Sequence, residues 1–159
     1  MIERTLVLLK PDAVQRAFVG EIITRFERVG LKIVGMKMVW VDEDFSKKHY
    51  SDHVDKPFYP GLEEFITEGP VIAMVLEGIH AVEIVRKIVG PTEPKQAPPG
   101  TIRGDFSHHS YAYTDKKGIA IKNLIHASGS VEDAEKEVSL WFKPEELHSY
   151  KTVHDVHTL

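Results

Sequence analysis

The chain contains no cysteine, which removes disulfides, thiolate nucleophiles and cysteine-ligated metals from consideration. It also lacks an excess of positive charge: 20 Lys and Arg stand against 24 Asp and Glu, for a net charge of −4. Phosphate backbones attract basic surfaces, so nucleic acid is not expected as a partner. Any polyanionic ligand must instead be held by a local cluster of cations. No apolar run approaches the roughly 20 residues of a membrane helix. The start, Met1-Ile2-Glu3-Arg4-Thr5, lacks the basic and then apolar segments of a secretory signal. A cytoplasmic protein without a membrane partner is the expectation. The pattern G-x-x-x-x-G-K-[ST] is also missing, which excludes a P-loop enzyme.

The 159 residues suit one domain spanning 1–159, and the 42% apolar and 28% charged fractions are those of an ordinary globular chain. Residues 5–9 form an apolar run ended by Lys10-Pro11-Asp12 and read as a buried strand feeding a turn. Ile22, Ile23, Phe26 and Val29 have the spacing of one helical face, stopped by Gly30. Residues 31–41 read as a second strand with a bulge at Gly35. Short helices are expected at 44–52 and 61–68, a third strand at 71–76 and a helix at 80–89. The proline- and glycine-rich stretch 90–104 reads as a long functional loop. Residues 107–117 read as an exposed loop or hairpin, 119–125 as the fourth strand, and 131–142 as a helix capped by Ser130. Residues 143–159 form a tail without a strong pattern. The order β-α-β-α-β-α-β predicts an α+β, ferredoxin-like (split βαβ) fold, an antiparallel four-stranded sheet with helices packed on one face.

The segment Asn123-Leu124-Ile125-His126-Ala127-Ser128-Gly129-Ser130 carries the main chemical signal. Imidazole accepts and returns a phosphoryl or acyl group near neutral pH when a neighbour fixes its tautomer. Glu137 shares a helix face with Val138 and Trp141, and a carboxylate beside a buried face needs a partner. Lys10 stands at the end of the first strand, Arg86 borders the inward face of its helix, and Arg103 lies between Gly100 and Gly104. Convergence of these three near Thr92 would suit a di- or triphosphate. His49 and His53 have the i,i+4 spacing of metal ligands, but no carboxylate follows in the required place, so they are expected to face solvent. Phe58 and Tyr59, between two prolines, read as exposed aromatics, a platform for a base or ring.

Taken together, these stretches resemble nucleoside diphosphate kinase. The resemblance runs from Arg4 to Tyr150 through Lys10-Pro11-Asp12-Ala13-Val14-Gln15-Arg16, His49-Tyr50, Lys56-Pro57-Phe58, Pro98-Pro99-Gly100-Thr101-Ile102-Arg103-Gly104-Asp105-Phe106, the Asn-x-x-His-x-Ser element at 123–128, and Ala134-Glu135-Lys136-Glu137. It implies a ping-pong transfer of the terminal phosphate of a nucleoside triphosphate to a nucleoside diphosphate through a phosphohistidine at His126, with Glu137 holding the other ring nitrogen. It implies that Tyr50 and Ser128 lie near the transferred group. Lys10, Arg86, Thr92 and Arg103 would hold phosphates, and Lys10 and Asn123 would reach the sugar. Phe58 would stack on the base and Leu62 line the cleft. Mg2+ would be held through the nucleotide phosphates, with no protein metal site, and the assembly would be a homo-oligomer, hexamer or tetramer. Two departures stand out. Between Arg103 and His126 the chain is longer than the family usually is, with the excess near 107–117. The family's usual His-Gly-Ser-Asp also appears here as His126-Ala127-Ser128-Gly129. The alternative is a non-catalytic nucleotide-binding regulatory protein on the same fold.

Overall fold

The run Leu6-Val7-Leu8-Leu9 is apolar throughout because both of its sides are covered. In the computed structural model, which describes residues 1–159, Val7 and Leu9 enter one apolar cluster while Leu6 and Leu8 enter another. A strand alternates its side chains between faces, so a continuous apolar run is what a sheet buried on both faces requires. The elements in order are β1 (Ile2–Leu9), α1 (Pro11–Gln15), α2 (Val19–Arg28), β2 (Lys32–Val39), α3 (Glu43–His49), α4 (Tyr59–Thr67), β3 (Val71–Ile79), α5 (Ala81–Val89), α6 (Ile102–Phe106), α7 (Tyr111–Lys117), β4 (Ile125–Ala127), α8 (Val131–Trp141) and α9 (Asp155–Thr158). The sheet order is β2-β3-β1-β4 and every pairing is antiparallel. This is the split βαβ arrangement predicted, and Gly35 lies at the register shift in β2.

The helices, however, do not lie on one face. Ile22 and Phe26 of α2, Val85 and Val89 of α5 and Ile102 of α6 fill one cluster. Tyr59 and Ile66 of α4 and Val138 and Trp141 of α8 fill the other. Phe26 is completely buried, and its removal from water contributes roughly 2–3 kcal/mol.

The stretch between α6 and β4 differs most from expectation. Residues 111–117 form α7 instead of a loop or hairpin, started by Ser110, whose hydroxyl accepts from Tyr113 N, and closed by Gly118 at φ +64°. Ser110 and Gly118 are good start and stop residues, but the helix between them lacks a periodic apolar face to announce it. The fourth strand is only Ile125–Ala127, not 119–125. Leu124 has φ +72°, which extended backbone cannot accommodate, so pairing with β1 begins one residue later. Residues 119–123 instead form an irregular wall beside the site.

Two smaller differences complete the picture. The Lys10-Pro11-Asp12 turn opens α1, whose first position is proline. The tail docks along β2: His148 N donates to Val34 O at 2.8 Å and Tyr150 Oη to Ile33 O at 2.5 Å.

Candidate active site

β4 lies beside β1 with His126 opposite Leu8. Because side chains alternate, Ile125 enters the core and His126 emerges on the face covered by α8. That helix starts where Ser130 Oγ accepts from Asp133 N at 3.1 Å, and its Val138 and Trp141 are buried. Glu137 is thereby held against the sheet, and its Oε2 lies 2.7 Å from His126 Nε2. Ser128 Oγ donates to the same oxygen at 3.0 Å and accepts from Leu6 N at 3.2 Å. An ionised carboxylate only accepts hydrogen bonds, so Nε2 carries the proton and Nδ1 keeps its lone pair.

Cations and amides converge beside this ring. Lys10 Nζ donates to Asn123 Oδ1 at 2.8 Å, and Asn123 Nδ2 donates to Thr92 O at 2.8 Å. Burial, and then the nearby Arg103 charge, push the Lys10 pKa down to about 8, while Asp12 opposes the shift. Arg103 Nε donates to Asn123 O at 3.2 Å, and its terminal nitrogens donate to Gly90 O at 3.0 Å and Ile125 O at 2.5 Å. The guanidinium thus grips both ends of the turn into β4 and still has N–H groups to spare. Burial and Arg86 lower its pKa to about 10, far enough above neutrality for it to stay charged. Arg86 itself is exposed on α5.

His126, Lys10, Asn123 and Thr92 share a cavity of about 790 Å³ with Tyr50, Phe58 and Leu62. The volume suits a nucleotide-sized ligand. Phe58 is 55% exposed at this cavity, with its ring free to receive a planar group. Tyr50 is buried, which raises its hydroxyl pKa and keeps it protonated. Glu137 and Ser128 stand behind the histidine, outside the cavity lining.

Two histidine and aromatic expectations are corrected. His49 does not face solvent; it packs edge-on against His126 with ring centroids 4.8 Å apart. Its Nδ1 accepts the Trp141 indole N–H at 3.1 Å, and burial holds its pKa well below the usual range. Packing of the end of α3 against Trp141 of α8 turns His49 inward, which spacing alone cannot reveal. His53 is exposed. Tyr59 is buried, its hydroxyl donating to Glu63 Oε2 at 2.7 Å, because it opens α4 against the core.

Other supporting residues gave a weak sequence signal. Asp12 Oδ2 accepts from Leu124 N at 3.1 Å; a carboxylate in the first turn of a five-residue helix has no periodic signature. Tyr111, Thr114, Asp115 and residues 118–121 line the cavity, although their segment read as an exposed loop.

Comparison with known proteins gives a consistent set of likenesses. The family model for nucleoside diphosphate kinase matches residues 3–147. A nucleoside diphosphate kinase of Pyrococcus furiosus is 56% identical over 149 residues, covering 94% of this chain and 88% of its own length. One from Pyrococcus horikoshii is 58% identical over 153 residues, covering 96% and 93%. A Borrelia burgdorferi nucleoside-diphosphate kinase structure, a transition state mimic with bound vanadate and ADP, superposes with a TM-score of 0.95 at 46% identity, covering 99% of this chain and 96% of that one.

Proposed function

The chain belongs to the nucleoside diphosphate kinase family, and on that premise we propose that His126 is its phosphoryl carrier. The enzyme moves the terminal phosphate of a nucleoside triphosphate to a nucleoside diphosphate. In the first half-reaction His126 Nδ1 attacks the terminal phosphorus, a P–N bond forms, the bond to the bridging oxygen breaks, and the diphosphate leaves with that electron pair. In the second, the terminal oxygen of another diphosphate attacks the phosphohistidine and the pair returns to Nδ1. The observation that carries this reading is the 2.7 Å contact between His126 Nε2 and Glu137 Oε2. It supports a fixed tautomer with the nucleophilic nitrogen left free.

The remaining roles are assigned from membership of the family, although Arg86 and Arg103 lie outside the cavity lining. Lys10, Arg86, Thr92 and Arg103 hold the phosphates, and transfer is accelerated by positioning and by offsetting the charge that develops. Lys10 and Asn123 also reach the sugar. Phe58 stacks on the base, which every base permits, and Leu62 lines the same cleft. Tyr50 lies near the transferred group, and Ser128 acts behind His126 through Glu137. Beside His126 the cavity offers the Lys10 cation and the neutral Thr92 and Asn123. That donor set fits Mg2+ held by the nucleotide's own oxygens, where it would offset phosphate charge.

Residues 1–159 form one such domain, with extra length near 107–117. No helix is long and apolar enough to cross a membrane; the cytoplasm is our separate proposal for where the reaction runs. Edge strand β2 and the residue following it expose Met36, Met38 and Trp40 at 55%, 61% and 67%, which supports burial against further copies in a hexamer or tetramer. Light scattering that finds only monomers would contradict this. A purely regulatory, nucleotide-binding role leaves the His126–Glu137–Ser128 linkage without a purpose.

Incubation with γ-labelled triphosphate tests the carrier. Acid-labile, alkali-stable label that disappears in His126→Ala is the expected result, and label retained by His126→Ala overturns the assignment.

A further inference from the structure

The α7 segment contributes residues to the cavity that the roles above leave unused. It is fastened at both ends. Tyr111 N donates to Glu93 Oε1 at 3.0 Å and Lys95 N to His109 O at 3.0 Å, which ties the start of α7 to the stretch that follows Thr92. Ser107 Oγ donates to Lys122 O at 3.0 Å, beside Asn123. Beyond the helix, the backbone at Ala120 touches α4: a Cβ placed on Gly61 would lie 3.6 Å from Ala120 N. The segment therefore runs along the cavity from the Thr92 end toward the wall that carries Phe58 and Leu62.

Tyr111 sits at the first of these two ends. It lines the cavity with Lys10, Thr92 and Asn123, and the residue is 44% exposed instead of being packed into the core. Its hydroxyl has no hydrogen-bond partner within the protein, whereas those of Tyr59 and Tyr150 are bonded to Glu63 and Ile33. It is also close enough to Arg103 to influence that group electrostatically. A phenol at the cation-lined end of a cavity is a neutral donor matched to phosphate oxygen, and a hydrogen bond to a charged acceptor is among the stronger kinds.

We propose that Tyr111 is a further nucleotide-binding residue, donating its hydroxyl to a phosphate oxygen of the bound nucleoside di- or triphosphate. The assignment rests on the phosphate-binding role given above to Lys10, Thr92 and Arg103. It makes α7 a working wall of the site instead of a surface excursion. Because the contact is to phosphate, its strength is independent of the base.

The test compares Tyr111→Phe with wild type, using Tyr113→Phe as a control. Tyr113 is an exposed neighbour on the same helix that does not line the cavity. Calorimetry with ADP, CDP and UDP should show roughly tenfold weaker binding in Tyr111→Phe for all three. Competition by adenosine, which has no phosphate, should be unchanged, and Tyr113→Phe should match wild type throughout. Unchanged ADP affinity in Tyr111→Phe overturns the proposal. So does an equal loss for ADP and adenosine, which marks a wall that only packs. If wild type itself acquires no phosphate label, the failure lies with the His126 reading and not with Tyr111.

Discussion

Asp12 Oδ2 accepts the backbone N–H of Leu124 at 3.1 Å, at a residue whose φ is +72°. A buried side chain with Cβ rarely adopts that conformation without support. The bond connects the start of α1 to the turn that delivers Asn123 and His126, so Asp12 helps to set where the proposed nucleophile stands. Asp12→Ala leaves that N–H without its partner. We expect a loss of about 1–3 kcal/mol, read as a lowered urea midpoint, together with reduced kcat. An unchanged midpoint argues against this role.

This pair also explains where sequence reading succeeded and stopped. β1 and β3 are legible as continuous apolar runs, and α2 and α8 because their apolar residues recur with helix period beside Gly30 and Ser130. Motifs name His126, Glu137, Lys10, Asn123 and Phe58, and the structure brings all but Glu137 to one cavity, with Glu137 behind the histidine. The errors cluster between α6 and β4. There, Ile119, Ala120 and Ile121 line the cavity, an apolar run that a buried strand shares, and the positive φ of Leu124 leaves no mark on composition. The place of His49 is illegible for a related reason: it depends on Trp141, far along the chain.

Glu137→Gln retains the shape of the side chain but can present an N–H to His126 Nε2, which places the ring proton on Nδ1. A nucleophile in the wrong tautomer should lose about 10²–10⁴-fold in kcat. Nitrogen-15 chemical shifts of the His126 ring report the tautomer directly. Full activity with an unchanged tautomer would show that Glu137 is incidental.

Lys10 should set an alkaline limb. With its pKa at about 8, the charge proposed to bind phosphate is present below that pH and lost above it. kcat/KM for nucleotide should therefore fall as pH rises through about 8, and Lys10→Met should flatten the limb at a lower rate. Stability runs the other way. Between about 8 and the ordinary value of 10.5 the unfolded chain holds the extra proton, so native stability contributed by this group rises with pH. A limb that persists in Lys10→Met assigns it to another group.

His49→Ala removes a ring packed against His126 and Trp141 and leaves the indole N–H unpaired. The cavity and the lost hydrogen bond together should cost on the order of 2–4 kcal/mol, visible as a lower Tm and a shifted Trp141 fluorescence maximum. His49→Gln, which can still accept that N–H, should recover part of the loss. No recovery would locate the effect in packing alone.

The regiochemistry of the phosphoenzyme tests the central claim most directly. Phosphorus-31 and nitrogen-15 spectra of protein phosphorylated by a nucleoside triphosphate should place one phosphoryl group on His126 Nδ1, with Nε2 still bonded to Glu137. Phosphate on Nε2, or on any residue other than His126, would contradict the account.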